Sequence, residues 1–139
     1  MTLVVDASLL VALASSEPAG ALVEERLAVW IGEDEQLHAP ALVYYEVASG
    51  LRKARVSGRM GPDQLAIAVA LAESVPLTIH PRSDLVQVVE VAGQLERRSV
   101  YDAVYVALAE SLGATVVCLD GPLYRNARAR GLPVELLRA

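Results

Sequence analysis

Short apolar runs alternate along the whole chain with longer segments of helical periodicity. Each run is bounded by Pro, Gly, Asp or polar residues and has the length of a strand. We predict five strands, at 2–6, 37–40, 76–81, 114–120 and 132–137. Between them apolar residues recur every three or four positions, which is typical of helices packed on one face. We predict seven helices, at 7–16, 18–32, 41–58, 62–75, 83–99, 100–113 and 123–131, with a turn at 121–122.

The order of these elements predicts the fold class. Strands that are apolar on both faces and separated by helices indicate a parallel sheet covered on both sides. We therefore predict an α/β fold, a three-layer α/β/α sandwich with a short central parallel sheet. No internal repeat, low-complexity tract or linker interrupts the sequence. Residues 1–139 are accordingly expected to form a single domain.

Charge and composition narrow the classes of function. The 12 basic and 17 acidic residues give a net charge of −5, so attraction of the whole molecule to nucleic acid or anionic lipid is not expected. A single cysteine excludes an internal disulfide framework and a multi-cysteine zinc site. The longest apolar run, 65–72, is far shorter than the roughly 18 residues of a membrane span. We expect a soluble, cytoplasmic protein without a membrane partner.

Four acidic residues lie at positions where function concentrates in such folds. Asp6 and Asp120 each end an apolar strand, Asp102 lies in the first turn of a helix, and Glu46 lies within a helix among apolar neighbours. Ligands of open parallel sheets bind outside the carboxyl ends of the strands. The four carboxylates are therefore expected to converge at that edge.

Each acid also has an ordinary local explanation. Asp6 is placed to cap the following helix, and Ser99 with Asp102 fits the spacing of a capping box. Asp120 precedes Gly and Pro, a common turn sequence, and Glu46 fits a solvated helix edge. Independent capping does not predict two strand-ending acids at one edge together with a mid-helix Glu. The combination favours a shared site.

The chemistry of such a cluster points to a divalent cation. Crowded carboxylates repel one another, which raises their pKa values and costs stability unless a cation is present. Mg²⁺ prefers oxygen ligands, and a pair of such ions can activate a water and stabilise both oxygens of a phosphodiester displacement. The phosphate-binding and nucleophile motifs of nucleotide-binding proteins and α/β-hydrolases are absent. The sequence predicts a phosphoryl-transfer or nuclease site with one or two ions.

Four segments carry a resemblance to a known family. They are VVDAS at 4–8, YYEVASGLRK at 44–53, SVYDAVYVALAE at 99–110 and VVCLDGPLYRNA at 116–127. The sequence resembles the PIN-domain nucleases and, among them, the VapC-type toxins of bacterial toxin–antitoxin pairs. The likeness covers essentially the whole chain, and its third segment is the most specific.

The resemblance assigns roles to particular residues. It implies that Asp6, Glu46, Asp102 and Asp120 are the catalytic, metal-binding acids and that Ser8 supports the first of them. The cofactor it implies is Mg²⁺ or Mn²⁺. The activity it implies is cleavage of structured cellular RNA by an endoribonuclease, with growth arrest as the outcome.

The same resemblance implies partners, and the sequence departs from the family's pattern at one position. A small cognate antitoxin is expected to neutralise the toxin, and a homodimer, also in complex with the antitoxin, is the expected assembly. Similar proteins carry Thr or Ser two residues before the fourth acid, where this chain has Cys118. A thiol is a poorer hydrogen-bond partner than a hydroxyl. Asp120 is therefore the weakest of the four matches.

Basic and aromatic residues supply secondary candidates. Seven of the twelve basic residues lie at 52–59 and 125–131, just beyond two of the acids. They either contact RNA phosphates or complement the helix dipoles. The candidate phosphate contacts are Arg52, Lys53, Arg125 and Arg128.

Other side chains are assigned structural roles first. Tyr101 and Tyr105, four apart on one helix, are expected to pack in the core rather than stack on bases. His38 and His80 fit no ligand or nucleophile pattern and are expected to be structural. Trp30 either belongs to a groove for an antitoxin segment or packs in the interior.

Two other functions remain as alternatives. A receiver-type phosphoacceptor domain has similar length, but it needs an acidic pair after the first strand and a Lys after a late one, and neither is present. A catalytically silent PIN-like RNA-binding protein, or a housekeeping RNA-processing member, shares the fold. All four acids are present, which argues against loss of chemistry.

Overall fold

The computed structural model describes all 139 residues. The strands are β1 (Thr2–Val5), β2 (Gln36–Pro40), β3 (Thr78–His80), β4 (Thr115–Cys118) and β5 (Val134–Leu136). The helices are α1 (Ala7–Ala14), α2 (Gly20–Gly32), α3 (Leu42–Val56), α4 (Leu65–Ser74), α5 (Leu85–Gln94), α6 (Tyr101–Leu112) and α7 (Gly121–Ala129), and a 3₁₀ turn (Pro62–Gln64) precedes α4. Every predicted strand and helix is present.

All five strands form one parallel sheet in the order β3-β2-β1-β4-β5. The chain builds outward from β1 through β2 and β3, then returns to the other side of β1 with β4 and β5. The strand order therefore reverses beside β1. Such a switch point leaves a crevice at the carboxyl ends of the two strands that flank it, here β1 and β4.

Helices cover the sheet in two groups. α1 packs against α2, α3 and α4, whereas α6 packs against α5 and lies on β1, β2 and β4. The buried apolar side chains form one connected core of 39 residues, and no charged side chain is buried within it. The predicted α/β/α sandwich is confirmed. None of the helices has the length and apolar character needed to cross a bilayer.

Two predicted boundaries are wrong for local reasons. The helix predicted to reach residue 99 ends at Gln94, because Glu96 adopts a left-handed backbone with φ of 55°. Leu95 stays buried after the helix has ended, and its carbonyl accepts a hydrogen bond from the Asn126 side chain at 2.9 Å. The turn predicted at 121–122 is instead the start of α7, since Pro is well tolerated in a first helical turn.

The close approach of α1 and α3 depends on Gly50. A Cβ at this position would lie 2.6 Å from Cγ2 of Val11, so the Val11 side chain or the helices themselves would have to shift. We expect Gly50→Ala to destabilise the protein by about 1–3 kcal/mol, the usual cost of overpacking. Gly93 of α5 is the matched control, because a Cβ added there would meet nothing within 4 Å.

Urea unfolding of the two variants checks this prediction. Gly93→Ala is expected to gain about 0.5–1 kcal/mol from the better helix propensity of Ala. Equal gains for both variants would contradict the close packing of α1 on α3. α3 also carries Glu46, so its packing on α1 positions the helix that bears this carboxylate.

Candidate active site

A cleft of about 500 Å³ opens at the carboxyl ends of β1 and β4. The four acids singled out in the sequence all line it, together with Ser8; they are Asp6, Glu46, Asp102 and Asp120. They come from the end of β1, the middle of α3, the first turn of α6 and the end of β4. The fold thus brings together carboxylates that are far apart in the chain.

Asp6 is held at the switch point by hydrogen bonds. Its Oδ2 accepts from the Ser8 backbone N–H at 3.1 Å and from the Ser8 hydroxyl at 2.6 Å. The same hydroxyl oxygen accepts from the Leu119 N–H at 3.0 Å, and the Asp6 N–H donates to the Val117 carbonyl at 3.1 Å. Ser8 therefore joins the turn after β1 to the end of β4.

The other three acids each have a different local partner. The Tyr105 hydroxyl donates to Oε1 of Glu46 at 2.5 Å. Asp102 lies 4.0 Å from Nε of Arg97, in a pair that is exposed on both sides. Asp120 caps α7, where its Oδ1 accepts from the Leu123 N–H at 3.0 Å. Asp6 and Asp120 thus do cap helices while also facing the cleft.

Burial and mutual repulsion make the charged state of the cleft costly. Burial raises the pKa of Asp6 to about 6, against the lowering effect of its bonds to Ser8, and the charges of Glu46 and Asp102 raise it further. Burial also raises the pKa of Glu46 and of Asp102, and each feels the charge of a further acid, Asp102 and Asp120 respectively. Repulsion between the neighbouring carboxylates thus adds to the effect of burial, and Arg97 opposes it only at Asp102.

The acids share the cleft without forming a closed ligand set. No group of three or more His, Cys, Asp or Glu side chains is arranged to hold a metal ion as it stands. Each carboxylate instead has its own hydrogen-bond or ion-pair partner. The donors that face the cleft are oxygens, the type that hard divalent cations prefer.

Only one of the four candidate phosphate contacts lies at the cleft. Lys53 lines it, about two turns beyond Glu46 on α3, whereas Arg52, Arg125 and Arg128 lie outside the lining. The guanidinium of Arg128 donates to the Tyr124 hydroxyl at 3.1 Å.

The remaining polar and aromatic predictions have mixed outcomes. His38 and His80 hydrogen bond to each other across β2 and β3, with 2.8 Å between Nδ1 and Nε2, which fits the predicted structural role. Burial, then the neighbouring imidazole, lowers the pKa of His38. The prediction that both tyrosines pack in the core is correct for Tyr105, which is 1% exposed, and wrong for Tyr101, which is 58% exposed.

The capping-box explanation considered for Asp102 does not hold. Val100 is the N-cap of α6 and has no side-chain hydrogen bond, while the Ser99 hydroxyl only accepts from the Tyr101 N–H at 3.3 Å. Asp102 therefore has no capping bond that would account for its position. Its carboxylate faces the cleft instead.

Cys118 lies beneath the cleft. It is fully buried, its thiol contacts the backbone oxygen of Asp120 at 3.5 Å, and burial raises its pKa to about 12. The group is therefore a neutral thiol at physiological pH. It contacts the main chain at the fourth acid rather than a carboxylate.

Two residues at the site were not found from the sequence. Glu17, in the loop after α1, lines the cleft and pairs with Arg59 at 3.5 Å, and no sequence signal marks it. Tyr105 contacts Glu46, and its only signal is a spacing of three residues from Asp102, which places both on one face of α6. Its partner is 59 residues away, beyond any local pattern.

Residues 3–129 match the PIN domain family model. The chain belongs to the PIN-domain family. Among similar proteins, Ribonuclease VapC12 of Mycobacterium tuberculosis is 36% identical over 125 residues, covering 89% of this chain and 91% of the relative. Solved structures of similar fold include PAE2754 from Pyrobaculum aerophilum, with a TM-score of 0.66, 28% identity and coverage of 91% of this chain and 79% of that one.

A second solved structure agrees in fold alone. VapBC2 from Rickettsia felis, bound to a DNA fragment from its promoter, has a TM-score of 0.66 at 15% identity, and 99% of this chain and 100% of that chain are covered. The family model and the ribonuclease relative confirm the resemblance to PIN-domain proteins of VapC type. The receiver alternative is wrong, because receiver sheets have the order 2-1-3-4-5 and this sheet has the order 3-2-1-4-5.

Proposed function

We propose that residues 1–139 form a single PIN domain that cleaves cellular RNA as the toxin of a toxin–antitoxin pair. The observation that carries the proposal is the convergence of four carboxylates on one cleft at the sheet's switch point. The ribonuclease relative, at 36% identity, supports the reaction class. We further propose a cytoplasmic location, where RNA substrates are available.

The donor set of the cleft fits Mg²⁺ or Mn²⁺. Asp6, Glu46, Asp102 and Asp120 offer only carboxylate oxygens, and the raised pKa values of the first three reflect a charge that a divalent cation would offset. We assign these four residues to metal binding. When bound, such an ion supplies a water of lowered pKa and charge stabilisation at the attacking and leaving oxygens.

The chain's own basic residues position the RNA, and the reaction needs no protein nucleophile. Lys53 is the cation on the cleft wall and contacts the phosphodiester backbone, while Arg52, Arg125 and Arg128 are available to flanking phosphates. A protein nucleophile is not required: the hydroxyl of Ser8 already donates to Asp6 and accepts from the Leu119 N–H.

RNA cleavage by the purified chain tests the proposal. Cellular RNA is incubated with the protein and Mn²⁺, and new 5′ ends are mapped with and without EDTA. Discrete ion-dependent cleavage is expected. RNA that is bound and never cut would contradict the proposal and favour a catalytically silent member. Growth arrest on induction, relieved by the neighbouring small open reading frame, separates a toxin from a housekeeping enzyme.

A second surface suits the antitoxin. An apolar groove of about 290 Å³ lies between α3 and α4, and its lining includes Tyr44, Val47, Leu51 and Val69. We propose that an amphipathic antitoxin segment binds there. The surface around Trp30 is less suited, because Trp30 packs against the core beside charged Arg26 and Glu135.

A different surface is proposed for the homodimer. It is the exposed apolar face of α5, with Leu85, Val86 and Val89.

Matched substitutions on the two surfaces check these assignments. Val69→Glu places a charge in the α3–α4 groove, so the antitoxin is expected to be lost from co-purification while the dimer remains. Val89→Glu, on α5, is expected to have the opposite effect. Co-purification with the tagged antitoxin and size-exclusion chromatography report the two results. Antitoxin retained by Val69→Glu would contradict the groove assignment.

A further inference from the structure

Tyr105 is a polar group at the back of the cleft with no role in the mechanism above. Its side chain is 1% exposed, and it is absent from the cleft lining. Its hydroxyl nevertheless donates to Oε1 of Glu46 at 2.5 Å. Tyr105 therefore reaches the carboxylate from the core side, where neither RNA nor solvent has access.

Glu46 depends on this one contact. No other hydrogen bond or ion pair in the structure involves its carboxylate, so Oε2 is left without a protein partner. A Glu side chain has three rotatable bonds, and ordering it costs conformational entropy. The buried ring of Tyr105 has little freedom, and its hydroxyl fixes one oxygen of Glu46 in advance. The other oxygen remains available to the cleft.

The bond also connects the elements that carry the acids. Tyr105 lies on α6, three residues after Asp102, and Glu46 lies on α3. One helix thus supplies a cleft carboxylate and orients a second one from another helix. A hydrogen bond behind a metal-binding carboxylate is the usual way in which proteins orient such ligands.

We propose that Tyr105 is a positioning residue that orients Glu46 in the cleft and thereby increases the affinity of the site for a divalent cation. The inference rests on the proposed function, in which Glu46 is one of the metal-binding acids. Tyr105 itself contacts neither RNA nor the ion.

Mn²⁺ binding measured by calorimetry on the full chain tests the proposal. Tyr105→Phe keeps the buried ring and removes only the hydroxyl, and it is expected to weaken Mn²⁺ binding about 10- to 100-fold, the usual cost of losing such a partner. In a Glu46→Gln background the same substitution is expected to add little, since its effect passes through Glu46. Tyr101→Phe, on the exposed side of α6, is the control and is expected to bind Mn²⁺ like the wild type.

Cleavage supplies a second readout that a purely structural role would not move. The Mn²⁺ concentration for half-maximal rate is expected to rise in Tyr105→Phe, while the rate at saturating Mn²⁺ stays close to that of the wild type. Tyr105→Met, which also lacks the hydroxyl and keeps the apolar bulk, gives the same comparison if circular dichroism finds Tyr105→Phe unfolded.

The outcomes separate this inference from the function on which it rests. Weakened binding in Glu46→Gln with unchanged binding in Tyr105→Phe would overturn the positioning role and leave the metal site in place. Equal losses from Tyr105→Phe in the wild-type and Glu46→Gln backgrounds would also overturn it, because the effect would not pass through Glu46. Absence of Mn²⁺ binding by the wild-type chain would overturn both.

Discussion

Replacing Asp6 by Asn is expected to abolish RNA cleavage and to make the metal-free protein more stable. Both hydrogen bonds from Ser8 go to Oδ2, so Asn keeps an oxygen that accepts them and α1 stays capped. The substitution removes the charge that burial and the neighbouring acids disfavour. Activity and stability therefore move in opposite directions, which a simple structural defect would not produce.

The stability gained by Asp6→Asn relative to the wild type increases with pH. The pKa of Asp6 is raised from 3.8 to about 6, so the stability that its protonated form contributes is fully present below pH 3.8 and is lost as the pH rises through about 6. Two pKa units correspond to about 3 kcal/mol. In urea unfolding, Asp6→Asn is expected to gain up to that amount over the wild type above pH 6 and progressively less toward pH 4.

A capping aspartate elsewhere provides the control for this variant. Asp84 accepts hydrogen bonds from the first N–H groups of α5 and is exposed, so Asp84→Asn is expected to leave cleavage unchanged. The loss of cleavage in Asp6→Asn should exceed the roughly 10- to 100-fold typical of an outer partner. Full activity of Asp6→Asn on a cleavable RNA would reject the site assignment.

Mn²⁺ is expected to raise the melting temperature of the wild type and to leave that of Asp102→Asn almost unchanged. An ion that binds only the folded chain stabilises it by about 2.7 kcal/mol at one hundred times its Kd. For a chain of this length that corresponds to roughly 8 °C, at about 3 °C per kcal/mol. Burial, and then the charge of Asp120, raise the pKa of Asp102 against the lowering effect of Arg97, and a bound cation would offset the cost of this charge.

Differential scanning fluorimetry in metal-free buffer, with Mn²⁺ added stepwise, measures this effect. Glu110→Gln is the matched control, since Glu110 is an exposed carboxylate on the same helix and lies outside the cleft lining. It is expected to respond to Mn²⁺ as the wild type does. If Mn²⁺ raised the melting temperature of Asp102→Asn as much as that of the wild type, the ion would bind elsewhere.

The fold and the four acids were predictable because their signals are local. The apolar runs ending at Asp6 and Asp120 fix two strands, and helices between parallel strands force both carboxylates to one edge of the sheet. The helical spacing of apolar residues around Glu46 and Asp102 likewise assigns each of these acids to a helix. What these patterns convey is which element carries a residue and at which end of it.

The features that the sequence did not predict depend on how elements pack. The bond from Tyr105 to Glu46 requires α6 and α3 to meet at one point, and no spacing within either helix encodes that contact. The predicted extension of α5 was wrong because Leu95 continues the apolar period although it is buried from a turn. Lys53 and Arg52 are adjacent in sequence, yet the rotation of α3 brings only Lys53 to the cleft.

The central claim is that four carboxylates from separate elements bind one divalent-cation site. Anomalous diffraction from a crystal soaked in Mn²⁺ tests it most directly. The account predicts a peak inside the cleft, with a carboxylate oxygen of Asp6 at about 2.1 Å and at least one further acid among Glu46, Asp102 and Asp120 in contact with the ion or its waters. A map without a peak in the cleft, or with its only peaks at other acidic side chains, would contradict it.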